Sequence, residues 1–193
     1  MQETAAEMAA LRDLLARSRR RSTEHLRSIV GEDRALSAAE VVAALGGMKV
    51  VSLATVTARG EPRISAVDGH FLHGTWLWGS SGTSAKARHL AARPAVSVAY
   101  VDGEGLAVFA HGTARRLEPP DGRFGEAVAY LTGHYGMSSL ALGPDIRLYR
   151  LEPAWMVGWA ADRPALRRRL GLGGGPASPT TPASPTSPAS PAG

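Results

Sequence analysis

The sequence predicts a mainly β protein, six antiparallel strands with short helices, closing into a small or partly open barrel. Three observations predict it. Alternating segments rich in β-branched residues recur between residues 46 and 160. Turn signals such as Ala58-Arg-Gly-Glu-Pro62 and Asp102-Gly-Glu-Gly105 join neighbouring segments as hairpins. Helical periodicity interrupts the strands only twice, too rarely for the alternating βαβ units of a parallel sheet.

Taken in order, residues 1–45 read as a helical extension. Met8, Leu11, Leu14 and Leu15 share one helical face, and Leu26, Ile29 and Val30 mark a second amphipathic piece. The first strand, Lys49-Val-Val-Ser-Leu-Ala-Thr-Val-Thr57, pairs across its turn with Arg63-Ile-Ser-Ala-Val-Asp-Gly-His-Phe-Leu72. His73-Gly74 then turns the chain into residues 75–80, with Trp76 and Trp78 on one face, assigned to the core, and Leu77 on the other. Ser84 is placed to cap a helix with an apolar stripe at Ala87, Leu90 and Ala91, and Pro94 marks its end.

Strand alternation resumes at Ala95-Val-Ser-Val-Ala-Tyr-Val101 and again over residues 106–117, where Gly112 suggests the bend of a barrel wall. After Glu118-Pro-Pro-Asp-Gly122, Phe124, Val128, Leu131 and Tyr135 lie at helical spacing. Residues 146–151 and 154–159 supply the last strand, kinked at Pro153. From Gly171 the chain has almost nothing apolar to bury and repeats Pro, Ala, Ser and Thr, the composition of a disordered tail. The organisation predicted is a helical extension over 1–45, a barrel domain over 46–160, and a basic segment with a tail over 161–193.

The net charge of +5 does not point to a polyanionic partner. Residues 1–45 balance seven arginines against seven acids, residues 46–160 carry eleven bases against nine acids, and residues 161–193 carry four against one. Two dense runs, around Arg19 and around Arg168, lack interleaved aromatics and read as solvated surface, so neither nucleic acid nor membrane is expected as a partner. Ser18-Arg-Arg-Arg-Ser22 is followed by Thr23-Glu-His-Leu-Arg27 and not by the apolar run of an export signal, which makes the cytoplasm the expected compartment. With no cysteine, disulfides, thiolate catalysis and Cys-ligated metal are excluded.

The chemistry concentrates in Thr75-Trp-Leu-Trp-Gly-Ser-Ser-Gly-Thr-Ser-Ala-Lys-Ala-Arg-His-Leu90, where a strand runs through small hydroxyl residues into a helix with a cation in its first turn. Free N–H groups and the helix dipole make such a start attractive to anions, while Lys86 opposes the dipole by about 0.3–1 kcal/mol unless an anion is bound. Only Lys49 and Lys86 among 22 basic residues are lysine, and a compact point charge suits a phosphate. His70 and His73, three residues apart, are expected on opposite faces and hold no metal; His111 reads as a barrel-wall histidine with a hydrogen-bond partner. No nucleophile motif, and so no catalytic side chain, stands out.

In order and spacing, Leu53-Ala-Thr-Val-Thr-Ala-Arg-Gly-Glu-Pro-Arg-Ile64, Trp76-Leu-Trp-Gly-Ser-Ser81, Ser84-Ala-Lys-Ala-Arg-His-Leu90, Arg93-Pro-Ala-Val-Ser97 and Gly112-Thr-Ala-Arg115 resemble the pyridoxamine 5'-phosphate oxidase-like split β-barrels. The resemblance implies FMN or the deazaflavin coenzyme F-420 as cofactor, with haem in some relatives. It implies that Lys86 pairs with the cofactor phosphate, that Ser80, Ser81 and Ser84 hydrogen-bond it, and that the backbone at Ser65, Ala66 and Val67, on the strand begun by Arg63, lies along the ring. It further implies a homodimer with the cofactor at the interface, and hydride transfer to a small organic substrate or, alternatively, a carrier without catalysis. The Arg-Leu-His type segment of true pyridoxamine-phosphate oxidases is missing, since the domain ends in Glu152-Pro-Ala-Trp-Met-Val-Gly-Trp159, so vitamin B6 oxidation is not expected.

Overall fold

In a computed structural model, which describes residues 3–138, 143 and 145–172, six strands close a barrel. They are β1 (Met48–Val56), β2 (Pro62–Leu72), β3 (Thr75–Ser81), β4 (Ala95–Asp102), β5 (Leu106–Arg116) and β6 (Ile146–Ala160). All pairs are antiparallel, in the order β1-β2-β3-β6-β5-β4 with β4 returning to β1. Six helices accompany them among the described residues: α1 (Ala5–Arg21), α2 (Glu24–Ile29), α3 (Ala38–Ala44), α4 (Ala85–Ala92), α5 (Gly122–Tyr135) and α6 (Arg163–Arg169). The mainly β barrel read from the sequence is the fold observed. Most of the expected C-terminal tail lies outside the described residues.

Period-two alternation fills the barrel. Val51 and Leu53 of β1, Trp76 and Trp78 of β3, Val96 and Val98 of β4, and Leu151 and Met156 of β6 all belong to the main core. Trp78 stacks on Tyr149 at 5.8 Å between ring centroids, and Phe71 meets Trp76 edge-on at 5.3 Å. The kink expected at Pro153 is a bulge: Gly112 faces Pro153 while His111 faces Trp155, which leaves Ala154 without an opposite residue. Proline lacks the N–H for a ladder bond, and Gly112 permits the close approach because a Cβ there would collide with the Glu152 carbonyl.

The helices bury what their spacing predicts, with three differences. Leu11 and Leu14 of α1 enter the main core with Met8 and Leu15 beside them, but Ile29 of α2 is 43% exposed although Val30 is buried. Ala87 and Leu90 of α4 are buried, whereas Ala91 faces out because the exposed side of this short helix takes it. Residues 38–44 form a helix of their own, capped reciprocally by Ser37 and Glu40, whose Val41, followed by the capping Leu45, packs without exposed surface into the barrel core. Each such buried side chain is worth about 1.5–3 kcal/mol. A second cluster covers the outside of the barrel, where Ala127 and Leu131 of α5 lie on Leu72, Leu77, Leu117 and Leu148.

One irregularity positions the site. β2 and β3 pair only through Gly69–Leu72 and Thr75–Trp78, after which β3 continues along β6 and residues 62–68 of β2 pair with β1 alone. The two strands therefore diverge, and one backbone edge of β2 is left without a neighbouring strand. No helix among the described residues is long and apolar enough to cross a membrane.

Candidate functional site

The open end of β3 leads directly into α4. Ser84 adopts extended dihedrals (φ −63°, ψ 151°) and its Oγ accepts from the Ala87 N–H at 3.2 Å, the usual geometry of a serine cap. Ser80 Oγ lies 2.9 Å from Ser84 Oγ, while Ser81 Oγ lies 2.7 Å from Thr83 Oγ1 and accepts from the Thr83 N–H at 3.2 Å. Four hydroxyls thus meet within one turn. Gly82 lets the chain pass close to β6: its N–H donates to the Asp145 carbonyl at 2.8 Å, and a Cβ would collide with the Arg147 and Asp145 side chains.

The electrostatics of α4 set it apart. Helices α1, α2 and α3 carry Glu7, Glu24 and Glu40 in their first turns, and α5 and α6 are capped by Asp121 and Asp162. Among the described residues only α4 begins with no carboxylate at its cap or in its first turn, and Lys86 stands there instead. Lys86 is half-buried and makes no ion pair among the described residues, and the N–H groups of Ala85 and Lys86 meet no acceptor there. A positive helix end with an added ammonium is complementary to an anion. Ser81 Oγ donates to the Asp145 carboxylate at 3.5 Å, and the same carboxylate pairs with Arg147 at 3.5 Å.

α4 is fixed across this end of the barrel by Leu90 in the core, by a 3.0 Å hydrogen bond between His89 Nδ1 and the buried Thr55 Oγ1, and by Arg93 Nε donating to the Val56 carbonyl at 3.2 Å. Thr55 pairs with Arg63, so β2 enters at the same end. Arg63 itself is exposed and holds Glu61 at 2.9 Å within its own turn. Ser65, Ala66 and Val67 pair with Leu53, Ser52 and Val51, which places their backbone on the stretch of β2 with one free edge. Ser80, Ser81, Ser84 and Lys86 are thus brought together, and Ser65 to Val67 lie on the diverging strand.

Sequence reasoning did not reach the neighbouring cleft. Asp68, Gly79, Ser80, Leu131, Tyr135 and Ile146 line a cavity of about 330 Å³ between the diverging strands and the end of α5. His70, 1% exposed, forms its inner wall, with Nδ1 3.2 Å from Tyr130 Oη and Nε2 3.0 Å from Tyr135 Oη. Burial, reinforced by the nearby His134 and opposed by Asp68, lowers the His70 pKa to about 4, so the imidazole is neutral at physiological pH. Tyr135 was visible in the helical pattern of α5; its meeting with His70, 65 residues away, was not.

Two other histidines, His73 and His111, make their contacts elsewhere. His73 occupies the β2–β3 turn at φ 54° and reaches Glu7 at 3.1 Å, which joins that turn to α1. His111, on the outer wall, stacks on Trp155 at 4.7 Å and has Nδ1 2.8 Å from Ser97 Oγ. Among the described residues no cluster of three His, Asp or Glu side chains is placed to hold a metal.

A six-stranded antiparallel barrel whose β2 and β3 diverge, with β3 running on into a carboxylate-free helix start, defines a split β-barrel protein. The chain belongs to the pyridoxamine 5'-phosphate oxidase family, whose model matches residues 37–160. Among solved structures it is similar to a protein of unknown function from Agrobacterium tumefaciens, 25% identical over 62% of this chain and 55% of that one, with a TM-score of 0.53. The chain therefore spans about half the length of that relative. It is also similar in fold to a conserved hypothetical protein of Mycobacterium tuberculosis (21% identity, 77% of this chain and 96% of that one, TM-score 0.57). A heme binding protein of Mycobacterium smegmatis shares the fold as well (24% identity, 60% of this chain and 49% of that one, TM-score 0.50). A comparison with curated proteins finds no match.

Proposed function

We propose that this protein is a homodimeric oxidoreductase that holds FMN or the deazaflavin coenzyme F-420 by its phosphate at the start of α4 and passes hydride to a small organic acceptor. The observation that carries the reading is Lys86, unpaired among the described residues, at the one helix start among them without a carboxylate. Lys86 and the first-turn N–H groups would neutralise and bind the phosphate, with Ser80, Ser81 and Ser84 adding hydrogen bonds. The free edge of β2 at Ser65 to Val67 offers backbone donors and acceptors to a planar polar ring, with Arg63 at the start of that strand. The bound coenzyme supplies the hydride chemistry; the protein binds, orients and shields it, which needs no nucleophilic side chain.

A second copy of the chain fits the outer face beside that edge. Ile64 is 73% exposed, Val50 61% and Val101 56%, and register places Ile64 and Ala66 of β2 beside Ala54 and Ser52 of β1. An apolar sheet face of this kind favours covering by a partner, which would also close the cofactor edge. The cleft beside Ser80, walled by Leu131, Ile146 and Leu148, suits an apolar acceptor.

The absorbance spectrum after reconstitution, oxidation of the reduced coenzyme by added acceptors, and sedimentation together test this reading. A visible coenzyme band, turnover and a dimer that Ile64→Asp splits support it. A colourless monomer that takes up neither coenzyme overturns it. Haem carriage is the second reading, favoured by His111, whose Nδ1 is engaged by Ser97 while its exposed ring leaves Nε2 open. A haem band lost in His111→Ala would support that alternative.

A further inference from the structure

The family match covers residues 37–160, so α1, α2 and α6 lie outside it. These elements enclose a cleft of about 410 Å³ against β6, a volume typical of small-molecule sites. It shares no lining residue with the start of α4. Four guanidinium groups surround it: Arg12 and Arg19 from α1, Arg27 from α2, and Arg163 from α6. One arginine from each of the two runs that read as solvated surface, Arg19 and Arg163, is here brought to the same cleft.

Two of these charges are balanced by the protein. Arg19 Nη2 pairs with Glu32 at 3.3 Å, and Arg163 Nε binds the buried Glu40 at 2.9 Å while its Nη1 donates to the Glu32 carbonyl at 3.3 Å. The other two are not balanced. Arg27 meets only the Ser22 carbonyl, and Arg12 makes no hydrogen bond or ion pair among the described residues. Leu15, Leu26, Val30 and Leu36 supply hydrocarbon wall to the same cleft, beside the smaller polar share of Ser22, Ser37 and Glu32.

A purely inorganic anion gains nothing from such walls, and a polyanion finds no aromatic platform among them. A neutral lipid leaves the guanidinium groups uncompensated. We infer that this cleft binds an amphipathic anion, a carboxylate on a hydrocarbon body, with the head at Arg12 and Arg27 and the body along Leu15, Leu26 and Val30. The site is independent of the proposed cofactor.

The test is calorimetric titration of the full chain with decanoate, 1-decanol and inorganic phosphate. Decanoate is expected to bind at a single site, with decanol and phosphate at least about tenfold weaker. Arg12→Gln should weaken decanoate about tenfold and Arg27→Gln should do the same, with the near-ultraviolet dichroism of the buried tryptophans reporting an intact fold in each. Leu26→Glu, at the partly exposed wall, should abolish decanoate binding, and FMN titration of all three variants should match the unmodified protein. No decanoate binding, decanol or phosphate binding as tightly, or a decanoate affinity unmoved by Arg12→Gln overturns the inference.

Discussion

The hydroxyl of Ser80 at the end of β3 lies 2.9 Å from that of Ser84, the cap of α4. The contact fixes where the helix begins relative to the strand, because Ser84 Oγ simultaneously accepts from the Ala87 N–H. Ser84→Ala removes the cap and a partner of the buried Ser80, and should lower unfolding free energy by about 1 kcal/mol in urea titration. Ser84→Asp should retain that stability, since aspartate caps helices well, yet weaken FMN binding at least about tenfold by placing a carboxylate where the phosphate belongs. Unaltered FMN affinity in Ser84→Asp would remove the anion from this helix start.

Lys86 should destabilise the empty protein. A cation in the first turn opposes the helix dipole, so Lys86→Ala is expected to raise the stability of the coenzyme-free protein by about 0.3–1 kcal/mol, read as a shift of the urea midpoint at unchanged slope. A loss of stability would instead assign the residue a structural role.

These residues were legible because their chemistry is local. Strand, hydroxyls, cap and lysine follow one another between Thr75 and Lys86, and period-two patterns located all six strands, including the break at Pro153. What escaped depends on pairing between distant segments. The divergence of β2 from β3 follows from register, the cavity wall from His70 meeting Tyr130 and Tyr135, and the arginine cleft from α1, α2 and α6 folding against β6. The helix Ala38–Ala44 carries its signal in the Ser37 and Glu40 capping box, but seven residues of mostly alanine and valine are too short for a clear helical period.

Glu40 ties α3 to α6 and makes that junction sensitive to acid. Its fully buried carboxylate receives Arg163 at 2.9 Å, Arg167 at 3.0 Å and the Ser37 N–H at 2.7 Å. Burial alone would raise its pKa, but these hydrogen bonds hold it at about 2, below the ordinary 4.5. A carboxyl whose folded pKa is depressed stabilises the fold above pH 4.5 and loses that contribution as pH falls toward 2. Glu40→Ala should cost about 3 kcal/mol at neutral pH and flatten the stability profile between those two values; an equally steep acid limb in the variant would contradict the assignment.

Gly112→Ala tests the bulge. The new methyl would press on the Glu152 carbonyl, a backbone atom that cannot swing aside, and should cost about 1–3 kcal/mol in thermal or urea unfolding. A neutral substitution would show that β5 and β6 do not approach as closely as their register implies.

The most direct measurement compares each coenzyme with its dephosphorylated form, FMN against riboflavin and F-420 against its phosphate-free deazaflavin, by titration of the unmodified protein and of Lys86→Ala. If Lys86 and the start of α4 hold the phosphate, one of the two pairs shows a preference for the phosphorylated form that shrinks by about 1–3 kcal/mol in the variant, while the dephosphorylated form binds both proteins alike. A preference that survives the loss of Lys86, or no preference in either pair, would contradict the account.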